Sequence, residues 1–354
     1  MEFSAVYASL MGLSLILCFL IYRFGSITIG LLGRRDDVTA VQSAHSGIVP
    51  RIGGVAFFIG NIALLPLAGL LEFERAHVFC LLITLLPILI TGLAEDMGWP
   101  TPPRRRLLAV VFAGCLMVGM FGNYLPRIGI PILDPLFTFV PVAIVITVFM
   151  ATGVANAFNL VDGLNGLCGF ITIATAVSLA VIADHAELRD ISLFLTLVIP
   201  IVAGFLVFNF PFGLIFLGDA GAYMIGHTLV WAGIAIVALS ADVSPFAILL
   251  VFFWPVADTL LAIYRRRMTG RRSDQPDRLH FHQLTMRYLE IRFLGRGRRH
   301  LANPLAALCL APMIIAPQIL GIMFAFDNKM AALSALAASV AFALIYMTGI
   351  RSAK

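Results

Sequence analysis

The chain has 354 residues, of which 60% are hydrophobic and 12% charged, with a mean hydropathy of +0.99. No soluble core accommodates so many long apolar runs, so a pair or trio of soluble domains is excluded and a polytopic membrane protein is implied. The net charge of +5 comes without any soluble basic domain, which excludes nucleic-acid binding and leaves topology bias and attraction to anionic head groups and substrates.

Apolar segments of roughly 17–25 residues, enough to cross a bilayer, begin near Phe3, Ala56, His77, Leu107, Pro135, Leu167, Ile191, Gly221, Pro245, Pro304 and Met330. The expected fold is an all-α polytopic integral membrane protein of about eleven transmembrane helices, a single domain over residues 1–354. Gly and Pro interrupt several segments, so about ten spans also fit.

The first span has Glu2 and no Lys or Arg on its N-terminal flank, and no small-residue cleavage site follows it, so it reads as uncleaved. Arg23, Arg34 and Arg35 come after it, which places the N-terminus in the periplasm and the first loop in the cytoplasm. Alternation then leaves only Arg75, Arg127, Arg189 and Lys329 outside, out of 24 Lys and Arg, and puts the C-terminus with Arg351 and Lys354 in the cytoplasm. The one long hydrophilic stretch, residues 265–303, is expected as a cytoplasmic loop. Cys18, Cys80, Cys115, Cys168 and Cys309 sit in apolar runs without CxxC spacing and read as small hydrophobes in helix interfaces.

Five polar clusters fall on the cytoplasmic side. The first runs from His45 to Gly54, where Arg51 could meet a phosphate or simply flank a helix. The second is Glu95-Asp96 followed by Arg104, Arg105 and Arg106. Adjacent acids suit a helix C-terminus poorly, so a divalent cation or a proton-transfer role competes with a solvated loop pair. In the third, Asn156, Asn159, Asp162 and Asn165 recur every third residue as one polar stripe, which Gly163 and Gly166 then break. Amide and carboxylate oxygens are hard ligands suited to Mg²⁺; a polar helix seam is the alternative.

The fourth cluster is Phe216-Leu217-Gly218-Asp219-Ala220-Gly221, where Asp219 reads either as a helix N-cap or as a cation ligand beside phosphate-binding N–H groups. In the fifth, Asp258 lies about two turns before Arg265-Arg266-Arg267, and Asp277-Arg278-Leu279-His280-Phe281-His282 follows. An intramembrane acid is functional by default, and the histidines suit phosphate binding or acid–base work better than zinc. The clusters lie at helix ends rather than at the bilayer centre where transporters bind, so an enzyme active site at the cytoplasmic mouth is expected.

The run Asn156-x-x-Asn159-x-x-Asp162-Gly163-x-Asn165-Gly166, Phe216-Leu217-Gly218-Asp219-Ala220-Gly221 and Arg278-x-His280-x-His282 together resemble the polyprenyl-phosphate N-acetylhexosamine-1-phosphate transferases. That family includes bacterial GlcNAc-1-phosphate transferases, the muramyl-pentapeptide translocase and the eukaryotic dolichyl-phosphate enzyme. The resemblance extends from His45 to Leu284. It implies transfer of a sugar-1-phosphate from a UDP-N-acetylhexosamine such as UDP-GlcNAc to undecaprenyl phosphate, with release of UMP and a requirement for Mg²⁺ (Mn²⁺ as the alternative). The pathway implied is synthesis of O-antigen, capsule or another cell-wall glycan. By the same resemblance, Asn159 and Asp219 face the metal, and Glu95, Asp96 and Asp162 are catalytic. His45, Arg51, Arg105, Asn156, Gly163, Asn165, Asp258, Arg278, His280 and His282 bind substrate, with Asn165 toward the uracil. Two positions depart from the family pattern: Glu95 replaces the usual Asp, and Gln283 stands where a further His is usual. Partners are the UDP-amino sugar, undecaprenyl phosphate and membrane lipids, with a homodimer allowed. A transporter or flippase for lipid-linked sugar is the rival, as is another membrane phosphotransferase.

Overall fold

A computed structural model describes residues 3–31, 49–68, 71, 74–268 and 280–352. Among them every regular element is helical. This follows from the composition, because an apolar run in hydrocarbon can satisfy its backbone only internally. In chain order the helices are α1 (Phe3–Leu31), α2 (Gly54–Ile62), α3 (Leu64–Ala68), α4 (Arg75–Asp96), α5 (Pro103–Phe121), α6 (Val140–Val161) and α7 (Leu167–His185). There follow α8 (Arg189–Asn209), α9 (Gly218–Leu239), α10 (Pro245–Val251), α11 (Phe253–Met268), α12 (Phe281–Leu289), α13 (Arg299–Met323) and α14 (Asn328–Ser352).

All eleven expected apolar segments are helical, but among the described residues only 8 are long and apolar enough to cross a membrane, or up to 9 if a bent pair is one span. The exceptions have local causes. The segment expected near Ala56 breaks at Ala63 into α2 and α3, neither long enough to span. α5 begins Pro103-Arg104-Arg105-Arg106, which shortens its apolar length. The segment expected at Pro245 turns by 80° between α10 and α11. The hydrophilic stretch 265–303 is mostly helical where it is described, with α11 entering it, α12 inside it and α13 beginning at Arg299.

α9 is the axis of the bundle, buried along nearly its whole length against α4, α6, α2 and α7. Without a hydrophobic force between helices in lipid, close approach through small residues drives such packing. A Cβ added to Gly92 would strike Ala220, one on Gly54 would strike Gly221, and one on Gly226 would come within 2.8 Å of Ala155 Cα. This packing brings the C-terminal ends of α4 and α6 and the N-terminal ends of α2 and α9 together at one end of the bundle.

Candidate active site

The N-terminus of α9 organises this end. Asp219 stands in the first turn of α9, yet its side chain caps nothing. The cap comes from Asp96 at the end of α4: its Oδ1 accepts the Asp219 N–H at 2.9 Å and its Oδ2 the Ala220 N–H at 3.0 Å. A buried carboxylate is thereby matched to two backbone donors and the positive end of a helix. Gly218 makes this approach available, since its φ is +76° and a Cβ there would strike the Arg51 carbonyl. The expected repulsion between Glu95 and Asp96 is resolved by divergence, because Glu95 turns away to accept the Thr101 N–H at 3.0 Å.

With its backbone held, Asp219 is free to project between two cations. Residues 50–54 pair with 216–217 through Phe216 N–H to Pro50 O (2.8 Å), Gly53 N–H to Phe216 O (2.9 Å) and Gly54 N–H to Leu217 O (2.8 Å). That short ladder sets Arg51 NH2 3.7 Å from Asp219 Oδ1. Arg106 pairs with Asp219 Oδ2 from the opposite side. Arg106 Nε is buried without a hydrogen-bond partner among the described residues, a donor available to an anion. Of the three adjacent arginines, helical phase turns Arg106 inward and leaves Arg105 exposed.

The polar stripe is shorter than its sequence period suggests. Asn156 and Asn159 lie on the last turns of α6, Asp162 ends the helix, and Gly166 at φ +82° turns the chain into α7. Asn165 therefore points into scaffold: its Nδ2 donates to Pro211 O at 2.8 Å, and its N–H to Asn303 Oδ1 at 2.7 Å. Asp162 is pushed up to about 7, by burial first, with Arg51 pulling the other way.

Tyr223 joins the stripe to α9. Its hydroxyl donates to Asn156 Oδ1 at 2.9 Å and lies in hydrogen-bonding reach of Asn159, near Arg106. The sequence reading missed Tyr223, although it follows Asp219 by four residues on the same helical face, which is a usable signal.

Asp258, His280 and His282 form a separate buried triad. It touches the stripe through His282, whose Nε2 would lie 2.8 Å from a Cβ on Gly163. The structure thus groups Arg51, Asp96, Asn156, Asn159, Asp162 and Asp219, with the triad at the Gly163 edge. Glu95 and Asn165 are engaged by scaffold, and Arg105 is exposed. His45 and Arg278 lie outside the described residues.

Residues 78–237, which run from α4 through α9, match the family described as Glycosyl transferase family 4. The undecaprenyl-phosphate alpha-N-acetylglucosaminyl 1-phosphate transferase of Pasteurella multocida (strain Pm70) is 31% identical over 263 residues, 71% of each chain. The chain belongs to this family. Its membership is consistent with two further relatives. The undecaprenyl-phosphate alpha-N-acetylglucosaminyl 1-phosphate transferase of Yersinia pestis is 26% identical over 269 residues, covering 74% of this chain and 71% of the relative. The decaprenyl-phosphate N-acetylglucosaminephosphotransferase of Mycobacterium leprae (strain TN) is 28% identical over 300 residues, covering 74% and 73%. The family match ends before Asp258, His280 and His282, so their grouping rests on the structure of this family 4 glycosyl transferase.

Proposed function

We propose that this chain transfers an N-acetylhexosamine-1-phosphate from a UDP-linked donor, UDP-GlcNAc or a related amino sugar, to undecaprenyl phosphate, releasing UMP. The reaction would take place at the cytoplasmic face of the bacterial inner membrane, in a chain of eleven crossings with its N-terminus outside, and would start a surface polysaccharide. One observation carries this reading: Asp219 projects from a capped helix N-terminus between Arg51 and Arg106, on the helix whose Tyr223 bonds the Asn156 amide of α6. The buried Arg106 Nε and the more exposed Arg51 beside hard oxygen donors suit a diphosphate with a divalent cation.

The donor set fits Mg²⁺. Asp219 and Asn159 would hold it with Asp162 beside them, all oxygen donors, whereas the cluster at the Gly163 edge offers imidazole nitrogens that Mg²⁺ favours less. When bound, Mg²⁺ supplies charge neutralisation on the diphosphate oxygens. Arg51 and Arg106 reduce the repulsion between the two anionic reactants. Tyr223 holds Asn156 and Asn159 in orientation. An oxygen of the lipid phosphate then bonds to the β-phosphorus, and the bond from that phosphorus to the bridging oxygen breaks, its electron pair leaving with UMP. The acceptor phosphate is ionised near neutral pH and needs no strong base. Asp96 is occupied through both oxygens by backbone N–H groups of α9, which favours direct displacement over an aspartyl-phosphate at this position.

The test is incubation of purified protein with undecaprenyl phosphate, Mg²⁺ and a panel of UDP-sugars while UMP is measured. Mg²⁺-dependent UMP release with one amino sugar is expected; transbilayer movement of lipid-linked sugar without UMP release would overturn the reading in favour of a flippase. In the same assay, Arg106→Ala is expected to lower turnover on the order of 10²-fold. Arg105→Ala, at an exposed site, is expected to stay within about threefold of native. The reverse ranking would reject this placement of the two arginines.

A further inference from the structure

The triad next to the site has a hydrogen-bond logic of its own. Asp258 on α11 is 1% exposed, and its Oδ1 accepts the Phe281 N–H at 2.9 Å. Its Oδ2 lies 3.3 Å from His280 Nδ1 and 3.2 Å from His282 Nδ1. The two imidazoles stack at 5.4 Å between centroids, 24° from parallel. The Phe281 N–H and two imidazole nitrogens converge on a single carboxylate, a setting that suits its ionised form. An ionised carboxylate only accepts, so the His282 nitrogen facing it must carry hydrogen. In a neutral imidazole the other nitrogen is then a bare lone pair.

That other nitrogen, His282 Nε2, is buried without a hydrogen-bond partner among the described residues. It faces Gly163, where a Cβ would lie 2.8 Å from it, and Gly163 adjoins Asp162. Burial holds His282 below the ordinary imidazole range, ahead of the opposing pull of Asp258, so the ring is neutral near pH 7. A neutral lone pair repels phosphate oxygen and accepts from O–H or N–H.

We propose that Asp258 is a positioning residue that locks His282 as the Nδ1–H tautomer, so that Nε2 accepts a hydrogen bond from a hydroxyl or amide N–H of the sugar nucleotide. The substrate half of this inference rests on the transferase reading above. Asp258 itself touches no substrate, because both of its oxygens are engaged by protein donors. His282 recognises a neutral polar group of the donor rather than its phosphates.

Long-range ¹H–¹⁵N correlation spectra of detergent-solubilised protein labelled in its histidines read the tautomer directly, with His282→Gln assigning the signal. The native protein is expected to show the Nδ1–H form at His282. Asp258→Asn turns an amide N–H toward the rings and is expected to convert His282 to the Nε2–H form. Each of Asp258→Asn and His282→Gln is expected to lower turnover about 10–100-fold. The double variant is expected to lose no more than His282→Gln alone. An Nε2–H form in the native protein, an unchanged tautomer in Asp258→Asn, or losses that multiply would each overturn the proposal. The native spectrum is recorded without substrate, so it decides the tautomer even if the UMP assay rejects the transferase reading or Asp258→Asn does not accumulate.

Discussion

Asp219→Asn is expected to cut Mg²⁺-dependent UMP release on the order of 10³-fold while leaving the fold intact. The substitution is isosteric, and the hydrogen bond that anchors this residue uses its backbone N–H, which Asn retains. What disappears is the negative charge between Arg51 and Arg106. Those two cations, no longer neutralised, still attract the anionic nucleotide, so binding of the UDP-sugar should be equal or tighter while turnover collapses. Titration calorimetry with UDP-GlcNAc alongside UMP release checks this split. Turnover within about tenfold of native would remove Asp219 from the chemistry.

Asp96→Asn should produce the opposite combination, losing stability and activity together. The amide keeps one acceptor and turns an N–H₂ toward the second backbone donor, so one of the Asp219 and Ala220 N–H groups is buried unpaired. Leaving such a group unsatisfied costs about 1–3 kcal/mol, and losing the carboxylate from a buried helix N-terminus costs up to about 2 kcal/mol more. Because α9 is the axis of the bundle, the damage also shifts Asp219. Thermal unfolding in detergent, read beside UMP release, separates the cases. A native melting profile with lost activity would assign Asp96 to direct work on the acceptor phosphate. Native values in both measurements would mean that the two hydrogen bonds stabilise little.

Much of the site can be read along the chain because hydrocarbon is an intolerant solvent. Polar residues such as Asn156, Asn159, Asp162 and Asp258 have no reason to interrupt apolar runs unless they meet one another or water. What the residues do once they meet is harder to read. Asp219 beside glycines at a helix start reads as a cap, yet the cap is Asp96, 123 residues away. Arg104, Arg105 and Arg106 are indistinguishable by composition, and only the phase of α5 turns Arg106 inward. Asn165 continues the period of three but falls beyond the helix end that creates the stripe, so it binds the scaffold at Pro211. Tyr223 was hidden because a tyrosine in an apolar helix carries no polar signal until its hydroxyl finds Asn156.

The amino-acid sequence alone determined that the protein is helical and membrane-embedded, that its polar groups collect toward one face, and which family it resembles. These properties follow from transfer free energy and residue order, which need no coordinates. Only the tertiary structure decided which carboxylate anchors a helix, which one faces the arginines, and which is enclosed by two histidines. Asp96, Asp219 and Asp258 are chemically identical side chains. Their roles diverge because folding gives each a different set of donors, and a donor set is a property of three-dimensional neighbours.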